Sequence, residues 1–341
     1  MSAKADEGEL RMPSVARGNA EVGPPPPFDA ECVSALTMVL EMYPEPATAE
    51  KLPRMRQAAT DSDPTDESLE CGGAFRVEEL SAPGLNGAPD VPVLICTPTA
   101  ATHRTAAIYY VHGGGMVCGN LRSELDYMMG TAEREGLAIV AVGYRVAPEH
   151  PDPAPVEDCY AGLLWLFAQA ERFNIDAERI LIVGMSAGGG LAAGVALMAR
   201  DRNGPNLIGQ MLHSPMLDER NDTVSSLQFQ AHGSWTRESN EFGWSALLGD
   251  RRRSEYVSAY ASPSRAETLS GLPPTFVDVG SAEVFRDESV DYASRLWAAG
   301  GIAELHVWPG GYHGYEAFAP TAAISRGALG ARSEWLHRLL N

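Results

Sequence analysis

The chain has 341 residues, enough for one large α/β domain with an added subdomain or for two smaller domains. Apolar residues make up 45% and the formal net charge is −19, with 26 basic against 45 acidic side chains. A surface that acidic repels phosphate backbones and anionic lipid, which argues against nucleic-acid or membrane-surface partners and favours an uncharged small molecule.

Residues 1–27 are polar and end in Gly23-Pro24-Pro25-Pro26-Pro27, a stiff polyproline run after a start expected to be poorly ordered. Helical spacing follows near 29–42 and 47–59, where Cys32, Ala35, Leu36, Val39 and Leu40 recur at three- and four-residue steps. An acidic turn-forming run at 61–66 closes this region. From about residue 74 short apolar strands alternate with helices. Strands are predicted at 75–80, 91–96, 106–111, 137–143, 179–184, 207–213, 275–279 and 302–308. Helices are predicted near 123–136, 155–172, 187–202, 284–299 and 323–340. The first two strands flank SAPGLNGAPD, hairpin chemistry; the later ones alternate with helices, as a parallel sheet requires. Residues 215–265 break the alternation and are too long for a plain loop. The division expected is an N-terminal segment with cap helices at 1–70, a main α/β domain at 71–214 and 266–341, and a cap insertion at 215–265.

No signal-peptide core and no apolar run of membrane-spanning length is seen, so a cytoplasmic location is expected. Cys32, Cys71, Cys96, Cys118 and Cys159 form no metal-site spacing and read as ordinary thiols.

Gly184-Met185-Ser186-Ala187-Gly188 fits G-x-S-x-G, with a strand (ILIVG) before it and a helix (LAAGVALMA) after it. A sharp turn there lifts the serine hydroxyl off the sheet, and the small neighbours leave the backbone room. A plain glycine-rich turn is the duller alternative, which the flanking strand and helix weigh against. Gly188 to Ala193 also satisfy a loose dinucleotide-binding pattern, but those glycines fall inside the helix and not at its entry.

His112-Gly113-Gly114-Gly115 follows the strand AAIYYV, and such a loop can offer amides to a tetrahedral oxyanion. Gly113, Gly114 and Ala187 are the expected donors. Of eight histidines, His313 alone stands in a Gly-rich loop after the last strand, at the sheet edge that carries Ser186. The acid should follow TFVDVG. Glu283 comes first there; Asp287 and Glu288 suit the start of the next helix, and Asp287 stays open as the alternative. The order Ser186…Glu283…His313 is that of an α/β hydrolase.

These residues resemble the hormone-sensitive-lipase-like carboxylesterases over residues 75–341, by the glycine loop, the serine elbow, the Gly-Tyr-His-Gly loop and Tyr144-Arg145-Val146-Ala147-Pro148-Glu149-His150-Pro151. The resemblance implies an α/β-hydrolase fold: a mostly parallel eight-stranded sheet, helices on both faces and a helical cap. It implies hydrolysis of uncharged short- to medium-chain esters with no metal or cofactor, gives Arg145 and Glu149 supporting ion pairs, and allows a homodimer. Met116, Met216, Trp235 and Phe285 are candidate substrate-lining residues, with Phe242, Trp244 and Tyr315 behind them; for all of these, packing is an equal alternative. Three positions depart from the family: Met185 stands where Asp is common, Glu283 where Asp begins an Asp-Pro-Leu run, and Asp152 where an aromatic is usual. A lactone, amide or thioester would suit the same machinery, and a non-catalytic binding protein on this scaffold is the rival from another class.

Overall fold

In the computed structural model, residues 22–42 and 46–341 are described. The expectation for the extreme N-terminus, residues 1–21, lies outside them. Eight strands form one sheet: β1 (Phe75–Ala82), β2 (Val91–Pro98), β3 (Thr105–Val111), β4 (Ala138–Val142), β5 (Ile175–Met185), β6 (Gly209–His213), β7 (Thr275–Gly280) and β8 (Ala303–Trp308). The helices in chain order are α1 (Val33–Met42), α2 (Leu52–Asp61), α3 (Asp66–Leu69), α4 (Leu125–Glu135), α5 (Ala154–Gln169), α6 (Ala187–Asp201), α7 (Val224–Gln228), α8 (Arg237–Leu248), α9 (Arg286–Ala298), α10 (Tyr315–Phe318) and α11 (Ala323–Leu340).

The strand order is β1-β2-β4-β3-β5-β6-β7-β8. The β1–β2 hairpin is antiparallel, β2 meets β4 antiparallel, and all later pairs are parallel. The continuous apolar runs of β3 and β5 are explained by cover on both faces. Tyr109, Val111, Ile180 and Ile182 point into the layer that holds α5 and α6. Ile108, Tyr110, Leu181 and Val183 point the other way, toward α4 and α11. Period-two alternation thus divides two apolar faces between two cores.

The excursion between β6 and β7 contains α7 and α8, each started by a threonine side chain that accepts an N–H of the first turn: Thr223 from Ser226 and Thr236 from Ser239. Asp152 explains its own departure from the family. Its carboxylate pairs with Arg251 at 3.0 Å and its N–H donates to the Leu247 carbonyl at 3.0 Å, which ties the end of α8 to the turn before α5. Arg145 and Glu149 are both ion-paired, though not with one another. Arg145 grips the buried Asp158 with two bonds of 2.7 Å, and Glu149 pairs with Arg56 of α2 at 2.8 and 2.6 Å.

A buried ionic cluster lies under the sheet edge that carries the site. Asp278 of β7 accepts from His213 of β6 at 2.8 Å and from Arg332 of α11 at 2.8 Å. Arg332 also reaches Glu316 of α10 at 2.7 Å and the Tyr127 hydroxyl. Burial pulls the Arg332 pKa down to about 9 and, with Asp278 nearby, pushes Glu316 up to about 7. Arg332→Met would leave two buried carboxylates without their cation, so a loss of about 3–5 kcal/mol is expected, read as a lowered urea midpoint. An unchanged midpoint would remove this cluster from the stability account.

Candidate active site

Ser186 sits at the turn from β5 into α6 with φ 56° and ψ −120°, a conformation that a non-glycine residue adopts only under constraint. The constraint is visible on both sides. The Ser186 N–H donates to the His213 carbonyl at 2.8 Å, and its own carbonyl accepts from Met216 at 2.9 Å and Gly190 at 3.1 Å. A Cβ on Gly188 would overlap the carbonyls of Val111 and His112, so only glycine lets α6 lie this close to β3. The hydroxyl is thereby presented at the C-terminal edge of the sheet, beside the free amides of the first helical turn.

His313 follows β8 in a loop held from behind. Tyr312 and Tyr315 pack with Cys32 and Leu36, so the N-terminal segment braces the loop. Its Nε2 lies 2.9 Å from Ser186 Oγ, and its Nδ1 lies 2.7 Å from Glu283 Oε2. The carboxylate favours Nδ1–H, leaving Nε2 to accept the serine proton. Burial alone would lower the His313 pKa, but the Glu283 carboxylate, by its charge and its hydrogen bond, raises it, Glu316 and Glu124 push the same way, and together they hold it above the ordinary histidine value. Phe285 meets the imidazole edge-on at 5.1 Å.

The three candidate acids separate cleanly. Glu283 turns its second oxygen to the Ser214 hydroxyl at 2.6 Å and the Gly280 N–H at 3.0 Å. Asp287 accepts from the Ser225 N–H at 2.7 Å, at the first turn of α7, and Glu288 accepts from Leu217 and Asp218. Neither of these two hydrogen-bonds to His313. Of the other histidines, His112 stacks on Tyr144, His213 pairs with Asp278, His306 pairs with Glu304, and His337 lies by Glu135.

One expectation needs correction. The Gly113 N–H is not free for an oxyanion, because it donates to Glu124 Oε2 at 2.9 Å. The amides of Gly114 and Ala187 have no acceptor among the described residues, nor has that of Gly115. Gly115, at φ +62°, lies against the six-membered ring of Trp235, where a Cβ would clash with the ring. Of the substrate-lining candidates, Trp235 keeps accessible surface, whereas Met116, Met216 and Phe285 are fully buried. Trp244 and Tyr315 are core residues; Phe242 is half-buried against the same core.

Three side chains that sequence reasoning missed complete the site. Ser214 holds Glu283, Glu124 holds the glycine loop, and the Ser234 hydroxyl donates to the His313 carbonyl. Ser214 immediately follows β6, the neighbour of the nucleophile strand, and that placement was the available signal.

Residues 108–317 match the model of a family described as the alpha/beta hydrolase fold. The chain belongs to this family. Within it, the chain stands among the hormone-sensitive-lipase-like carboxylesterases. It is 32% identical over 322 residues to carboxylesterase NlhH of Mycobacterium tuberculosis, covering 89% of this chain and 95% of that one. It is 32% identical over 214 residues to an ethyl acetate hydrolase of Pseudomonas putida, covering 62% of this chain and 66% of that protein. Among solved structures, a bacterial heroin esterase superposes with a TM-score of 0.84 at 37% identity, covering 92% of this chain and 98% of the other. Among the described residues of this α/β hydrolase, no helix is long and apolar enough to cross a membrane.

Proposed function

We propose that this hydrolase is a serine carboxylesterase acting on uncharged esters of short to medium acyl chain. The reading is carried by one observation: an unbroken hydrogen-bonded relay from Glu283 through His313 to Ser186. His313 takes the Ser186 proton as Oγ attacks the ester carbonyl, and the carbonyl electrons move onto oxygen. The amides of Gly114 and Ala187 hold that oxyanion, with Gly115 beside them. Collapse expels the alkoxide, which leaves as alcohol with the proton from His313. Water, deprotonated by His313, then attacks the acyl-enzyme and releases the acid, returning the proton to Ser186. Similarity to proteins named carboxylesterase and ethyl acetate hydrolase supports ester as the substrate class.

The excursion at 215–265 and the N-terminal helices act as the cap in this reading. Ser234 and Trp235 touch the base loop and the glycine loop together, so the excursion closes one side of the acyl site. On the other side of the cap, the Ala47 N–H reaches the Ser239 hydroxyl of α8 at 3.0 Å.

The test is turnover of p-nitrophenyl esters from acetate to decanoate, wild type beside Ser186→Ala. Hydrolysis that favours the shorter chains and is lost in the variant supports the proposal. Activity confined to decanoate would overturn the chain-length reading, and no hydrolysis of any ester would overturn the ester reading.

A further inference from the structure

Glu124 immediately precedes α4 with left-handed backbone, φ 66°, and its side chain turns back onto the glycine loop. One oxygen accepts from the Gly113 N–H at 2.9 Å and from the Tyr110 hydroxyl at 2.8 Å. The other lies over the Cα of Gly113, so close that a Cβ there would be 2.8 Å from it and 3.3 Å from the Met185 carbonyl. No Lys or Arg pairs with this carboxylate among the described residues. The groups that bear on it are Tyr110 from β3, the Gly113 amide, Asp126 from α4 and His313 across the site; burial is the largest influence and raises its pKa. His313 in turn faces Glu283, Glu316 from α10 and Glu124.

An anion so near an oxyanion site is a cost to the transition state unless it does something else there. Two effects offset it. A carboxylate is the strongest acceptor the Gly113 amide could have, and it anchors one side of Gly113, while the peptide that carries the Gly114 N–H is held on the other side through the Gly113 carbonyl by His112 Nδ1 at 2.8 Å and the Tyr144 hydroxyl at 3.3 Å. Negative charge also favours the imidazolium that forms as His313 takes the proton.

We infer that Glu124 is a positioning residue for acyl transfer: it pins the Gly113 amide so that the Gly114 amide is aimed at the oxyanion, and its charge supports the imidazolium of His313. This rests on the Ser186–His313 reading above.

The experiment is kcat and KM for p-nitrophenyl acetate across pH 5–9, with wild type, Glu124→Gln and Glu124→Ala. The alanine variant is expected to lose roughly tenfold to a hundredfold in kcat, since a misaimed donor is a partial loss of the 10²–10³ that a deleted donor costs. KM is expected to change by much less. Glutamine keeps an acceptor oxygen and should restore part of that kcat, while its acid limb moves to lower pH because the charge that favours imidazolium is gone. Equal kcat and an unmoved acid limb in all three proteins would overturn the inference. So would an equal loss in both variants with the acid limb unmoved, the signature of a mere brace. Ester turnover that persists in Ser186→Ala would instead overturn the parent reading, whatever the Glu124 variants do.

Discussion

His313→Ala is expected to lower kcat for p-nitrophenyl acetate on the order of 10⁶-fold, the scale of losing the base from a serine triad. The magnitude follows from geometry. Ser186 Oγ has Nε2 of His313 as its hydrogen-bond partner at 2.9 Å, and Ser186 is only 6% exposed. A bare hydroxyl is a poor nucleophile near neutral pH, and the alkoxide leaving group needs a proton on the other side of the reaction. One imidazole serves both needs, so its removal stops both half-reactions. The residual rate should come from the Gly114 and Ala187 amides and from substrate binding. Stopped assays on purified protein with unchanged circular dichroism would measure it. A loss below tenfold would mean that another group takes the proton.

Glu283→Gln should cost about 10⁴-fold in kcat, because the geometry survives while the tautomer preference and the charge are lost. The same variant carries a pH signature. His313 must be neutral to act as base, and its pKa is raised above the usual histidine value, chiefly by Glu283 working against burial. The wild-type kcat/KM should therefore fall as pH drops through that raised value, and the acid limb of Glu283→Gln should lie at lower pH. Asp287→Asn gives the control. Asp287 caps the first turn of α7 through the Ser225 N–H and makes no bond to His313, so its loss should act on stability more than on kcat. A 10⁴-fold loss in Asp287→Asn with a mild effect in Glu283→Gln would reverse the assignment of the acid.

Much of this was legible because the chemistry is written in short contiguous patterns. The serine elbow and the glycine loop each follow a strand whose apolar run is unmistakable, the histidine loop follows the mixed strand AELHVW, and each lands at the same sheet edge. Strand β5 reads as ILIVG because both faces are covered, and its last residues deliver Ser186. What stayed hidden depends on directions that sequence does not encode. The glycines of the HGGG loop look equivalent, yet one amide is taken by Glu124, eleven residues on and across a left-handed turn. Ser214 reaches Glu283 from just past the end of a neighbouring strand, 69 residues away in the chain. Met116, Met216 and Phe285 were candidates to line the ligand, but whether a side chain faces a ligand or packs into the core is a matter of packing, and here all three are buried. The helices of the excursion are short, five and twelve residues, and are held by threonine caps and docking contacts such as Asp152–Arg251, so their apolar periodicity is weak.

The central claim, that Ser186 is the nucleophile, is tested most directly by covalent capture. The protein would be treated with diethyl p-nitrophenyl phosphate and analysed by intact mass and tryptic mapping. The account predicts one diethylphosphoryl adduct per chain, on the peptide Ile180–Arg200, and none in Ser186→Ala. An adduct on any other peptide, or equal labelling of the variant, would contradict it.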